Sequence, residues 1–226
     1  MIETFPDAAA AAEAAADAIA RRLSPPGEKR IVVTGGRSPG PVYDRLAAMD
    51  LGWGRVTVTL SDDRFVDLGS PDSNERLVRE RLLRDHASSA ALVPLRGRGA
   101  TPEDDAKAAE PRIRALKPFD AVLLGMGDDG HIASLFPGSP GLAAALDPDG
   151  SRLVIGVETA GQPPYLPRIS LTAAALLDTG LVIVLVGGDG KRALMEQVAT
   201  DPDFAPPVSA VLRQTRAPAR VLWSPA

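Results

Sequence analysis

Apolar residues in this chain fall into two alternating patterns, helical spacing and short unbroken runs rich in Val, Ile and Leu. Ala8 to Leu23 is alanine-rich, with Ile19 and Leu23 four apart, and it stops before Ser24-Pro25-Pro26-Gly27. That predicts a helix followed by a turn. Ile31 to Thr34 reads as a strand, Pro39 or Pro41 opens a helix running to Met49, and Val56 to Leu60 is a second strand. Asp72 followed three residues later by Glu75 resembles a capping box, and its helix would carry Leu77, Val78, Leu82 and Leu83 on one side. Thr101-Pro102-Glu103-Asp104 opens a further helix reaching about Leu116. Ala121 to Leu124, Leu153 to Val157, Arg168 to Thr172, Leu181 to Val186 and Arg220 to Trp223 complete the strands. Helices are expected at Lys191 to Val198 and about Val208 to Gln214, and loops at the Pro/Gly-rich stretches 137–150 and 161–167. Helix and strand alternate and the strands are apolar throughout. The expected architecture is therefore α/β, Rossmann-like, with a mostly parallel sheet and helices on both faces. No repeat, charge run or low-complexity tract separates two cores, so residues 1–226 are read as a single domain. In such sheets ligands bind at the carboxyl ends of the strands.

Composition narrows the function classes. With 226 residues and 45% hydrophobic content the chain can bury a substantial core. Its longest apolar runs fall far short of the roughly 20 residues that cross a bilayer, and Glu3 and Asp7 replace the basic start of a secretory leader. A cytoplasmic protein without a membrane partner is expected. The absence of cysteine rules out a disulfide, a thiolate nucleophile and a sulfur-ligated zinc. A formal charge of −4 gives no overall attraction to nucleic acid, so an anionic ligand must be held by a local basic cluster.

Three strand ends carry glycine-rich loops. Gly36-Arg37-Ser38-Pro39-Gly40 fits the G-x-S-x-G of a hydrolase nucleophile elbow, yet Pro39 has no N–H to donate to an oxyanion. Two readings remain, a plain strand-to-helix turn and an anion cradle. The cradle would use the amides of Gly35, Gly36, Arg37 and Ser38, the Ser38 hydroxyl and the following helix N-terminus. Gly125-Met126-Gly127-Asp128-Asp129-Gly130 matches G-x-G-x-x-G, but Pro137 stops any helix within two turns, and the two aspartates would repel a pyrophosphate. A loop with two carboxylates and His131 suits proton transfer better. Gly187-Gly188-Asp189-Gly190-Lys191 fails as a Walker A loop, because Leu185 stands where the first glycine is needed and Arg192 follows the lysine. What remains is either a solvated surface lysine or a cation at a helix start, placed to meet a phosphate oxygen.

Of the two histidines, His86 follows Arg84-Asp85 at a helix end and reads as surface structure. His131 has no apolar-face pattern around it. Histidine is the side chain that ordinarily exchanges a proton near neutral pH, and Asp129 or another carboxylate could orient it. Ser61-Asp62-Asp63-Arg64 places two acids and a guanidinium at a further strand end.

Taken together these motifs resemble the family of 6-phosphogluconolactonases and glucosamine-6-phosphate isomerases. The resemblance rests on Gly35 to Pro39, Asp62-Asp63-Arg64-Phe65-Val66 with Asp72-Ser73-Asn74, Leu123 to Gly138, Arg168 to Thr172, and Gly187 to Lys191. The block from Gly125 to Gly138 is the most specific. Asp63 departs from the family's Asp-Glu-Arg, and Asp67 replaces a proline that often follows the valine. The lactonase branch implies hydrolysis of 6-phospho-D-glucono-1,5-lactone in the oxidative pentose phosphate pathway, without metal or cofactor. Because a lactone is an activated ester that water can open, the expected general base is His131, oriented by Asp129 or Asp62. Arg64 and backbone amides near the Gly125 loop, Gly127 among them, would bind the oxyanion or sugar hydroxyls. The phosphate would lie against Gly35, Gly36, Arg37 and Ser38, with Lys191 and Arg168 as charged partners. Two other readings compete, an amino-sugar-phosphate isomerase and a sugar-phosphate sensor. Arg64 and the Ala133-to-Pro137 continuation favour the lactonase over the first. The second needs a DNA-binding module of about 60 residues ahead of the first strand, which here begins by Ile31.

Overall fold

A computed structural model describes residues 2–158 and 166–225. The chain opens with strand β1 (Ile2–Thr4), helix α1 (Ala8–Leu23), β2 (Lys29–Val33) and α2 (Gly40–Ala47). It continues through β3 (Val56–Leu60), β4 (Asp62–Arg64), α3 (Asn74–Arg81), β5 (Ala91–Val93), α4 (Pro102–Leu116) and β6 (Ala121–Gly125). Then follow α5 (Leu142–Leu146), β7 (Val154–Val157), β8 (Arg168–Leu171), α6 (Ala173–Leu176), β9 (Val182–Gly187), α7 (Asp189–Thr200), α8 (Ser209–Leu212) and β10 (Ala219–Ser224).

Seven strands form one sheet in the order β1-β10-β9-β6-β2-β3-β5, and every pairing in it is parallel. Its central strands are apolar on both faces: Val32, Val33, Leu123, Leu124, Ile183 and Val184 are all buried. This is why they read as continuous hydrophobic runs rather than alternating ones. The chain builds outward from β2 through β3 to β5, then returns to β6 on the other side of β2 and continues to β9 and β10. Loops leaving β2 and β6 therefore diverge at a switch point, which opens a crevice between them.

The expected mostly parallel sheet is present, and the difference lies in two strands that stand outside it. β7 and β8 do not join it. They pair antiparallel with each other, and β8 pairs antiparallel with β4, so that Asp62 faces Ser170 and Arg64 faces Arg168. Short apolar runs do not encode pairing direction, and the three polar residues of β4 carry no strand pattern. α4 packs over this small sheet, and its Glu103 and Glu110 carboxylates accept the backbone N–H groups of Leu153, Val154 and Gly156. The outer edge of β7 is thereby closed to another strand.

Local signals explain the helix ends. Asp7 caps α1 by accepting the Ala10 N–H at 2.8 Å, and Thr101 and Asp104 form a reciprocal capping box on α4. At α3 the cap is Ser73, whose Oγ accepts the Arg76 N–H, instead of the expected Asp72. Val78 and Leu82 are fully buried beneath α3, whereas Leu77 is half-buried. The helix ends before His86, which lies in a separate 3-10 turn and is exposed, as a surface residue should be. The 137–150 stretch holds the short α5, and residues 161–165 of the second predicted loop lie outside the described residues.

Candidate active site

The crevice at the carboxyl ends of β2 and β6 contains a cavity of about 270 Å³. Gly35, Gly36, Arg37 and Ser38 line it from the β2 loop, Gly127 and His131 from the β6 loop, and Lys191 from the start of α7. Asp62 and Arg64 of β4 and Arg168 of β8 complete the wall, so the small antiparallel sheet closes the crevice. Asp129 does not face the cavity. It stands behind His131.

The β6 loop folds tightly on itself. Gly127 N–H donates to the His131 carbonyl at 2.9 Å, and Gly130 N–H donates to the Gly127 carbonyl. Asp129 Oδ1 accepts the His131 backbone N–H at 3.1 Å and lies 2.6 Å from His131 Nδ1. With Nδ1–H donating to that carboxylate, Nε2 is the nitrogen left to accept a proton. The Phe136 ring packs against the imidazole at a centroid distance of 4.4 Å. A side chain at 127 is excluded: its Cβ would stand 2.1 Å from both Cε1 and Nδ1 of His131.

Asp62, the other carboxylate considered for the imidazole, is engaged elsewhere. Its Oδ1 accepts from Ser61 Oγ at 2.8 Å and its Oδ2 from Ser134 Oγ at 2.6 Å, with Arg168 Nη1 at 3.9 Å. It thus ties β4 to the turn after His131, in which Ala133 adopts a left-handed φ of 48°. Arg168 is largely buried between Asp62 and the face of Phe136, with its guanidinium carbon 5.3 Å from the ring centroid. Burial lowers the proton affinity of this guanidinium, and Asp62 opposes that effect.

On the β2 side, Tyr43 of α2 accepts the Thr34 N–H and donates to the Thr34 carbonyl, pinning the strand end just before the glycine loop. Among the described residues no acceptor takes the amides of Gly35 to Ser38. They are available to an anion at the mouth of α2, as the cradle reading requires. Gly35 is dictated by close approach, since a Cβ there would meet the Asn74 carboxamide at 1.9 Å. Across the cavity Lys191 Nζ donates to the Met126 carbonyl at 2.7 Å and lies 3.6 Å from the exposed Asp128. The lysine is thereby held over the site instead of being free in solvent. Arg37, Arg64, Arg168 and Lys191 make the pocket locally basic on an acidic chain.

Sequence reasoning missed Asn74, Ser134, Tyr43 and Phe136. Asn74 receives Arg64 Nη1 on its Oδ1 and donates to the Asp62 carbonyl at 2.9 Å. Asn74 and Ser134 both lay within the motifs that carried the family resemblance, but their partners are distant in sequence and no spacing rule reveals them. Among the described residues no three His, Cys, Asp or Glu side chains are grouped as a metal site would need, and no helix is long and apolar enough to cross a membrane.

Residues 6–223 match the family model described as glucosamine-6-phosphate isomerases/6-phosphogluconolactonase. The chain belongs to this family. It is 45% identical to a 6-phosphogluconolactonase of Caulobacter vibrioides, over 95% of this chain and 91% of that one. It is 39% identical to a 6-phosphogluconolactonase of Rhizobium meliloti, over 98% and 97%. Among solved structures, a 6-phosphogluconolactonase from Shewanella baltica superposes with a TM-score of 0.92 at 33% identity, covering 99% of this chain and 97% of its own. A monomeric glucosamine-6-phosphate deaminase shares the fold at 16% identity and a TM-score of 0.82.

Proposed function

We propose that this chain is a 6-phosphogluconolactonase, hydrolysing 6-phospho-D-glucono-1,5-lactone to 6-phosphogluconate with His131 as general base. The observation that carries the reading is His131, backed by Asp129 and facing one cavity with the amide-bearing loop from Gly35 to Ser38 and a tethered lysine. A lactone is an activated ester, so water needs only a base and a site for the developing charge. His131 Nε2 takes a proton as water oxygen bonds to C1. The tetrahedral oxyanion then collapses, the bond from C1 to the ring oxygen breaks, and the imidazolium returns the proton to that oxygen. The carboxylic acid so formed ionises to solvent. Asp129 holds the ring and stabilises its protonated form, Arg64 and the Gly127 loop meet the oxyanion or sugar hydroxyls, and Asp62 shapes the wall through Ser134 and Arg168. The phosphate lies on the amides of Gly35, Gly36, Arg37 and Ser38, between Lys191 and Arg168.

The test is a coupled assay with freshly generated lactone, corrected for spontaneous opening and run beside His131→Ala. Turnover that disappears in the variant supports the reading. Near-wild-type turnover by the variant, or ammonia release from glucosamine 6-phosphate by the wild type, overturns it.

A further inference from the structure

Asp63 is a charged side chain that the reaction above does not use. It is 1% exposed and does not face the cavity. Its Oδ1 accepts the backbone N–H groups of Arg64 at 2.8 Å and Asn74 at 2.6 Å, and its Oδ2 accepts that of Glu75 at 3.2 Å. Two of these amides, Asn74 and Glu75, open α3, where a helix leaves N–H groups without partners and favours negative charge. The residues so held are those that shape the pocket wall. Arg64 lines the cavity and donates to both Asn74 Oδ1 and the Asp72 carbonyl, and the Asn74 carboxamide packs beneath Gly35.

We propose that Asp63 is a positioning residue: its carboxylate fastens the N-terminus of α3 to β4 and thereby fixes Arg64 and Asn74 against the anion-binding loop. The inference rests on the lactonase reading for its substrate, but the clamp itself is a property of the fold. The charged groups around Asp63 are Asp62 and Arg64 on its own strand, Glu75 with its partner Arg79 on α3, Asp72 ahead of that helix, and Arg168 on β8. Burial pushes the Asp63 carboxyl up to about 6, the three amides oppose that, and the Asp62 charge adds to it. Protonation at mildly acidic pH leaves the carboxyl a weaker acceptor for these amides, so the local hold on Arg64 and Asn74 slackens even as relief of the buried charge adds to global stability.

Two measurements test this. In ¹H–¹⁵N spectra of the wild type, the amides of Arg64, Asn74 and Glu75 are expected to titrate together with a midpoint near about 6, and to be flat in Asp63→Asn. Kinetically, D63N is expected to raise KM about tenfold, the value of one charge-assisted hydrogen bond, with kcat changed less than about threefold. Asp63→Glu, one methylene longer but still able to accept those amides, should recover most of the lost KM. Amides that do not titrate between pH 5 and 8, or a D63N enzyme with wild-type KM, overturn the proposal. The wild-type spectra alone need neither turnover nor a folded variant. Titrating amides in a protein inactive on the lactone would sink the lactonase reading alone, and active wild type with an indifferent D63N would sink the clamp alone.

Discussion

Asp129 Oδ1 accepts both the ring Nδ1–H and the backbone N–H of His131, so a single carboxylate oxygen sets the tautomer of the imidazole and the turn that presents it. Removing the imidazole by His131→Ala is expected to lower kcat by about 10²–10⁴ with folding intact. Asp129→Asn keeps the shape but removes both the charge that stabilises the imidazolium and the acceptor that fixes Nδ1–H, so kcat should fall steeply, by up to about 10⁴, without exceeding the loss in H131A. Steady-state kinetics on the fresh lactone check the order. A D129N variant worse than H131A would show that Asp129 acts on the substrate itself.

Gly127→Ala gives a purely steric test of the same ring. The added Cβ would overlap Cε1 and Nδ1 of His131 at 2.1 Å and approach Asp129 Oδ1 at 2.8 Å, so the imidazole must leave its seat. The expected outcome is a loss of kcat of at least about tenfold, since displacement by an ångström or so costs reactivity steeply. KM should change less than kcat, because the loop after β2 that is proposed to hold the phosphate lies on another strand. Unchanged kcat would mean that the ring works from a different rotamer.

Much of this arrangement was legible because its signals are local. The runs from Ala121 to Leu124 and Leu181 to Val186 announced central strands, and glycine after each marked the loops that hold His131 and Lys191. Pro39 alone removed the nucleophile-elbow reading. What stayed hidden depends on contacts far apart in sequence. Ser134 meets Asp62 across 72 positions, and nothing near either residue announces the other. β4 is three polar residues, stabilised by pairing with β8 and by the Asp63 clamp instead of by propensity of its own. For the same reason spacing does not distinguish Asp129 from Asp62 as partner of the imidazole, whereas the fold turns Asp62 toward Ser61 and Ser134.

Lys191, proposed above as a phosphate partner, should separate binding from the chemistry. Its Nζ is tethered by the Met126 carbonyl, which leaves the remaining donors for the ligand. Lys191→Gln should raise KM for the phosphorylated lactone by about 10–100-fold, the range for a hydrogen bond from a charged donor, with kcat nearly unchanged. Unphosphorylated gluconolactone provides the control: its kcat/KM should be the same in both enzymes. An equal loss on both substrates would place Lys191 at the reacting carbon.

The Asp63 clamp also has a thermodynamic signature of unusual sign. Its carboxyl is raised in the fold from an ordinary value of 3.8 to about 6, so the native state binds the proton more tightly than the unfolded chain does. Stability from this group is complete below about pH 4 and is lost as pH rises through about 6. Glu3 and Asp44, held low by hydrogen bonds from Arg220 and Arg81, work in the opposite direction and lose their contribution as pH falls. Both remain in Asp63→Asn, so the difference in melting temperature between wild type and D63N isolates the buried carboxylate. Wild type should lose ground relative to the variant between about pH 4 and pH 6, by on the order of 3 kcal/mol for a carboxyl raised from 3.8 to about 6, and the difference should be flat above about pH 7. For a chain of this length that corresponds to roughly 5–10 °C by calorimetry. A difference independent of pH would mean that Asp63 ionises in the native protein as it does in the unfolded chain, and the pH-sensitive clamp would fall with it.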